Sequence, residues 1–319
     1  MTDSLLVVGE VVVDLVVDGL DVASTPLAVR AHPGGSPANV AVAAAGLGIP
    51  TALAARISRH GFGPWLRAHL VASGVDVSAC VDVDEPCSVA VVTSDVSGVP
   101  RYSLHVDGAA DYRWRADELP DVAGLAATVV HTGSLAVALG PGRDVLAAWL
   151  ARVRGHGRAV VSFDPNVRET TADPDRVDAL VRHAHLVKAS DEDLAMLWPR
   201  TDPLEVAARW LEAGVELVVV TRGPAGAVAR SRDGARVVER RAPTVTVVDT
   251  VGAGDAFTAG LLQALAARGA LRAGGLAMLG DAQLAAALDA ANELAALSCA
   301  RRGAGPGAPV EPRRSPRAC

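Results

Sequence analysis

At 319 residues the chain suits one large domain or two small ones, and half of its residues are hydrophobic, with a mean hydropathy of +0.28. A net charge of −6 and a pI of about 5.7 argue against a general nucleic-acid binder, and no apolar run is long enough to span a bilayer without charges or turns. Cys80, Cys87, Cys299 and Cys319 have no CxxC spacing, so neither a disulfide framework nor a zinc site is indicated.

The N-terminus lacks the basic start and small-residue cleavage site of a secretory signal. A soluble, cytoplasmic protein is therefore expected, with no membrane or nucleic-acid partner. Leu5 to Val17 reads as an almost continuous apolar strand, broken by Gly9–Glu10 and by Asp14. An acid inside such a run needs a partner or a ligand, because an unpaired buried charge is costly; a solvated strand-end aspartate is the alternative. In HPGGSPANVAVAAAGLG, His32 to Gly48, Gly34 and Gly35 permit backbone conformations closed to other residues. Ser36 can cap a helix starting near Pro37, with Val40, Ala43, Ala44 and Leu47 on its packed side. Asn39 falls in its first turn, facing whatever the glycines cradle. A capped helix without a ligand is the alternative.

From Val81 to Val106 the pattern is short β-like runs without helices. SGVP between SVAVVTSD and RYSLHV is a hairpin signal. Apolar runs at 5–9, 51–55, 127–132, 159–163, 185–188 and 216–220 alternate with helical patterns, which argues an α/β layer fold with a mainly parallel sheet. VVSFDPNVRET, Val160 to Thr170, reads as a buried strand ending at Asp164, followed by Asn166 and Arg168. Strand C-termini in such a sheet face the ligand crevice, and the guanidinium fork suits phosphate oxygens. Lys188, in HLVKASDEDL, is the only lysine of the chain. The acids after it, Asp191 to Asp193, suit a helix start favoured by the dipole. VELVVVTRGPAGAVAR, Val215 to Arg230, reads as strand, turn and strand.

DTVGAGDAFTAGLLQAL, Asp249 to Leu265, is the most informative stretch. Val245 to Val248 reads as a buried strand, and Ala256 to Leu265 as a helix, with a glycine turn between. The first N–H groups of a helix lack internal partners and carry the positive end of its dipole. Small residues at Gly252, Ala253 and Gly254 let a phosphate approach them. A carboxylate at Asp255 repels that phosphate unless it takes a proton from an attacking hydroxyl. In AANELAALSCARRGAGPGAP, Ala290 to Pro309, the small residues suit a flat adenine, with Asn292 as polar contact. The Pro-containing tail, with Arg313, Arg314 and Arg317, reads as a disordered end.

DTVGAGD, PGGSPANVA and DPNVR together resemble the ribokinase-like, or PfkB, carbohydrate kinases, and among them the fructokinases. The resemblance runs from Gly9 to about Pro309. It implies a three-layer α/β fold with a mainly parallel central sheet and a small β-lid over the sugar. The core would be 1–10, 19–80 and 111–310, the lid 11–18 and 81–110, and the tail 311–319. Asp14, Gly34, Gly35 and Asn39 would bind the sugar, with Arg101 and Tyr102 of the lid. Asp255 would be the base, helped by the N–H groups of Gly252, Ala253 and Gly254 and by Arg168. Asn166, Lys188, Thr221, Gly223, Gly226 and Asn292 would lie on the nucleotide side. The family's Lys-x-Asn-x-x-Glu has Ser190 and Asp193 here, Asp193 meeting magnesium through water. Asp249, Val251 and Gly303 would hold a monovalent cation such as K+. The implied activity is ATP- and magnesium-dependent phosphorylation of a primary hydroxyl of a small sugar, fructose first. Alternatives are 2-keto-3-deoxygluconate kinase, a ribose or nucleoside kinase, and a catalytically silent sugar-binding regulator. A dinucleotide-binding oxidoreductase is disfavoured, because Ala52 to Arg56 lacks the acidic ribose-binding residue expected there. The family also implies a homodimer through the lid.

Overall fold

The computed structural model describes residues 3–17, 27–94, 100–232 and 237–301, with the main chain only at 94 and 100–102. Strand β1 (Leu5–Val8) leads into β2 (Val12–Val17), β3 (Val29–Gly34), α1 (Ser36–Gly46), β4 (Thr51–Ala54), β5 (Arg56–Ser58), α2 (Gly63–Ala72) and β6 (Val81–Val83). The pair β7 (Val89–Ser94) and β8 (Pro100–His105) follows, then β9 (Val129–Gly133), α3 (Ser134–Ala138), α4 (Arg143–His156), β10 (Val160–Asp164) and α5 (Pro174–Val181). The chain continues through β11 (Leu186–Ser190), α6 (Asp191–Leu197), α7 (Pro203–Glu212), β12 (Leu217–Thr221), β13 (Ala227–Ser231) and β14 (Val237–Arg240) to α8 (Ala253–Ala266) and α9 (Asp281–Cys299).

The six apolar runs all become neighbours in one sheet, ordered β14-β13-β12-β11-β10-β9-β1-β4. From β12 to β4 the strands are parallel, and β13 and β14 run antiparallel at one edge. Strands buried on both faces need no polar alternation. Leu5, Val7, Val129, Val160 and Val219 pack towards α1, α8 and α9. Leu6, Val8, Val130, Phe163 and Val218 join the core on the opposite face, with α4 and α7. This is the expected mainly parallel α/β layer fold.

A second sheet, ordered β3-β2-β7-β8, stands beside the first. Strand β2 pairs with β7 in parallel, and β7 with β8 antiparallel, as the hairpin signal required. Two boundaries differ from expectation. Val29–Gly34 belongs to this small sheet, paired antiparallel with β2. Val81–Val83 does not, because it pairs with Arg56–Ser58 in a separate two-stranded sheet. Leu5 to Val17 is likewise two strands in two sheets, the chain turning at Gly9–Val11.

Two further readings are corrected, and the small residues of α9 gain a packing role. Val245–Val248 is not a buried strand: Val247 and Val248 are 60% and 52% exposed. The sheet ends at β14, so this segment has no strand to pair with, and Val248 N–H instead donates to Cys299 O at the end of α9. Ser36 is the first residue of α1 and caps nothing; Gly35 holds the cap position, at φ 97°. The small residues of α9 serve helix packing, since a Cβ on Gly260 of α8 would stand 3.2 Å from Ala291 Cα. Among the described residues no helix is long and apolar enough to cross a membrane.

The turn between β12 and β13 yields a prediction. Gly226 has φ +91°, and a Cβ there would stand 2.1 Å from Arg240 O; at Gly223, φ +49°, nothing lies within 4 Å. Gly223→Ala should lose only the left-handed backbone cost, about 1–2 kcal/mol. Gly226→Ala adds a backbone clash and should lose clearly more. Urea unfolding of both variants checks this, and equal losses would contradict it.

Candidate active site

Helix α8 starts where the parallel strands end. Gly252 adopts φ 76° at its N-cap, and Asp255 is its third residue. Asp255 is buried, but its carboxylate is not alone. The Ser36 hydroxyl donates to Oδ1 at 2.6 Å, and Asn39 Nδ2 donates to Oδ2 at 2.8 Å. Both donors lie in the first turn of α1. Burial raises the Asp255 pKa, opposed first by these two hydrogen bonds and then by the charges of Lys188 and Arg168. The carboxylate is thus a stronger base than an ordinary aspartate, and it sits where the free N–H groups of α8 favour an anion.

Asp14 lies on β2 of the small sheet. Burial pushes its pKa up to about 6, with Arg168 pulling it down and Asp255 pushing it up. Its carboxylate rests on Gly34 across the strand pair: a Cβ on Gly34 would stand 2.3 Å from Oδ2. At the next residue, a Cβ on Gly35 would meet Glu10 O at 2.7 Å. These glycines therefore let the small sheet and the first turn of α1 close on each other. Arg101 and Tyr102 pair in register with Thr93 and Val92, and their side chains lie outside the described ones.

Asp164 ends β10 and is buried. Lys188 Nζ donates to its Oδ2 at 2.8 Å. Burial works to lower the Lys188 pKa, but Asp164 and then Asp193 overcome it, and the net shift is upward. The ammonium reaches the start of α8, since a Cβ on Gly254 would stand 3.2 Å from Nζ. A fixed positive charge therefore lies beside Asp255 and the glycine turn. Past β10 the chain turns through Asn166, a non-glycine residue at φ 39°. Asn166 Nδ2 donates to Ser134 Oγ at 3.1 Å, and its Oδ1 accepts from Arg168 Nη1 at 2.8 Å. Asn166 thus holds the guanidinium of Arg168 against its own loop. Asp193 accepts from Val167 N at 2.7 Å with one oxygen, and from Ser190 N and Oγ at 2.8 and 2.6 Å with the other. It closes a capping box on α6 and ties that helix to the Arg168 loop.

On the expected nucleotide side the contacts are mainly internal. The Thr221 hydroxyl donates to Ala189 O at 3.5 Å. Asn292 is buried, and its Nδ2 donates to Arg240 O and Arg241 O at 3.3 and 3.5 Å. A polar group on a packed helix must satisfy its donors, and here it anchors the chain leaving β14. Asp249 accepts from Val251 N at 3.0 Å. Gly303 lies outside the described residues.

Asp255, Asp14, Asn39, Arg168 and Lys188 are thus brought together from five separated segments. Four residues in or beside this constellation had no role at the site in the sequence reading. Ser36 read as a cap, and Asp164 appeared only as part of a motif. Glu10, noted only as a break in an apolar run, and Asp111, not mentioned, are both buried. A charged residue interrupting a long apolar run is the signal that could have found Glu10.

Residues 2–311 match the family model described as pfkB family carbohydrate kinase. A fructokinase of Klebsiella pneumoniae is 36% identical over 277 residues, 84% of this chain and 86% of that protein. The crystal structure of a Xylella fastidiosa fructokinase with bound ATP superposes with a TM-score of 0.84 at 26% identity, covering 95% of this chain and 94% of that one. The Salmonella enterica aminoimidazole riboside kinase, complexed with aminoimidazole riboside and an ATP analogue, superposes with a TM-score of 0.76 at 25% identity, over 95% of each chain.

Asp255→Asn should reduce turnover by about 10²–10⁴-fold, with sugar and nucleotide binding little changed. The sign of its stability effect follows from burial. The folded state raises this pKa, so folding disfavours the ionised form above the unfolded pKa, and neutral asparagine removes that penalty. The melting temperature of the variant at neutral pH should be equal or higher. Retention of more than about a tenth of wild-type turnover would remove Asp255 from the role of base. With its motifs, its fold and these relatives in agreement, the chain belongs to the PfkB family of carbohydrate kinases.

Proposed function

We propose that this sugar kinase transfers the γ-phosphoryl group of ATP to a primary hydroxyl of fructose. The observation that carries the reading is the buried Asp255 carboxylate at the start of α8, held by Ser36 and Asn39 and flanked by Lys188 and Arg168. Asp255 takes the hydroxyl proton as the sugar oxygen bonds to phosphorus, and the bond from phosphorus to the bridging oxygen breaks to leave ADP. The N–H groups of Gly252, Ala253 and Gly254, with Arg168, stabilise the charge on the group in flight. Asp14 orients the sugar by accepting from its hydroxyls, and the small sheet closes over it as a lid that keeps water from competing. Two of these kinases' relatives named above are fructokinases, which favours fructose as acceptor.

Among the described residues no group of three or more His, Cys, Asp or Glu could hold a metal. That fits magnesium arriving on substrate phosphates, since it keeps water ligands and needs only one or two carboxylates. Asp193 would meet it through water, and bound magnesium would neutralise phosphate charge. A monovalent cation at Asp249 and Val251 belongs to the same reading.

The test is ADP release with fructose, fructose 6-phosphate, ribose, adenosine and 2-keto-3-deoxygluconate at equal concentration. Preference for fructose is expected. Preference for the keto-acid, which the DPN-x-R element also suits, would replace fructose as substrate. Preference for adenosine would move the chain towards nucleoside kinases like the Salmonella enzyme. No release with any acceptor would favour a silent sugar-binding regulator.

The raised Asp14 pKa sets a pH limit. Protonated Asp14 cannot accept from two hydroxyls, so kcat/KM for the sugar should fall as pH drops below about 6. An ordinary aspartate would keep it flat to about pH 4. A pH profile of kcat/KM, set beside that of Asp14→Asn to separate the contribution of Asp255, whose pKa is also raised, distinguishes the two.

A further inference from the structure

The chain enters or leaves the small sheet at residues 9–11, 35, 84–88 and 106–112, the third of these coming from the two-stranded sheet of β5 and β6. Asp111 lies on the last of these, in the short 3-10 turn Ala110–Tyr112, and is buried. Its Oδ1 accepts from Val11 N at 2.9 Å, immediately before β2. Its Oδ2 accepts from Ser88 Oγ at 2.5 Å and Ser88 N at 3.4 Å, immediately before β7. One carboxylate therefore gathers three crossings. The turn itself is anchored outside the small sheet: Arg56 Nη1, from β5, donates to Ala110 O at 2.8 Å, and Gly142 N, at the start of α4, to Tyr112 O at 2.7 Å.

The remaining crossing, Gly35, packs against Glu10 O. The buried Glu10 carboxylate accepts from Ala136 N at 3.0 Å and from the Ser134 hydroxyl. Ser134 Oγ in turn accepts from Asn166, the residue that holds Arg168. A continuous chain of polar contacts thus runs from the lid crossing to the loop of Arg168.

We propose that Asp111 is a positioning residue that sets the lid sheet, and with it Asp14, against the kinase core. It touches no substrate, and its effect on sugar capture rests on the small sheet acting as the lid of the proposed reaction. Main-chain hydrogen bonds already link neighbouring crossings, Val13 N donating to Ser88 O at 3.0 Å and Ala110 N to Pro86 O at 2.9 Å, and the Asp111 carboxylate adds the side-chain ties that bring Val11 and Ser88 to one point. Gathering three of them on one buried carboxylate makes the lid move as one body about a fixed point.

The test uses Asp111→Asn and Ser88→Ala in the full chain. Asparagine keeps the size of Asp111 and an acceptor for Val11 N–H. Its amide nitrogen cannot accept from Ser88 N–H. The expected result is a rise of about ten-fold in the KM for sugar, with the KM for ATP changed by less than about two-fold. Ser88→Ala should move the same way by less, and it decides the question should Asp111→Asn fail to fold. Hydrogen exchange, with no sugar present, should show faster exchange of amides at 12–17 and 89–93. Amides of 129–133 in the large sheet should be unchanged. Equal rises in both KM values, or equal loosening of both sheets, would overturn the proposal and leave Asp111 an ordinary fold residue. The exchange result stands whether or not fructose proves to be the acceptor.

Discussion

The structure turns on one buried carboxylate. Asp255 stands at the start of α8, where free N–H groups favour negative charge, yet it is largely buried. It stays there because Ser36 and Asn39, in the first turn of α1, donate to its two oxygens. Those contacts join segments more than two hundred residues apart and hold α1 against α8. Withdrawing water raises the basicity of the carboxylate, while Lys188 and Arg168 keep its charge tolerable. The same burial that costs stability therefore makes this carboxylate the more basic. Lys188 and Asp164 form the platform beneath it, and Asp193 and Asn166 hold the loop that carries Arg168.

Around that centre, close approach decides which residues are glycine. Gly34 leaves room for Asp14, and Gly35 leaves room for the chain at Glu10. Both lie where the small sheet meets the first turn of α1. The small sheet and the start of α8 are therefore not separate modules. They share α1, whose N-terminal turn faces the small sheet through its glycines and α8 through Ser36 and Asn39.

Much of this was legible in the sequence because it is local. Strands covered on both faces must be apolar throughout, so the runs at 5–9, 51–55, 127–132, 159–163, 185–188 and 216–220 marked the central sheet. The glycine turn before Asp255 and the acid within β2 announced themselves as polar or flexible residues in apolar surroundings. What failed was set by distant contacts. Val245–Val248 has the composition of a strand, but the sheet offers it no neighbour, and it runs beside the end of α9 instead. Asn292 and Gly226 also answer to the main chain at Arg240, a packing role that no local pattern shows. Ser36 was read through its own helix, and its hydroxyl is claimed by a carboxylate from the other end of the chain. No local pattern encodes those pairings.

The central claim is that the acceptor hydroxyl meets Asp255. A crystal structure of Asp255→Asn with a non-hydrolysable ATP analogue, magnesium and fructose tests it most directly. The account predicts a primary hydroxyl oxygen within hydrogen-bond reach of the residue 255 side chain, about 2.6–3.2 Å, and in line with the γ-phosphorus. It predicts other sugar hydroxyls on Asp14. A primary hydroxyl bound to Asp14 instead, with residue 255 out of reach of any sugar oxygen, would contradict it.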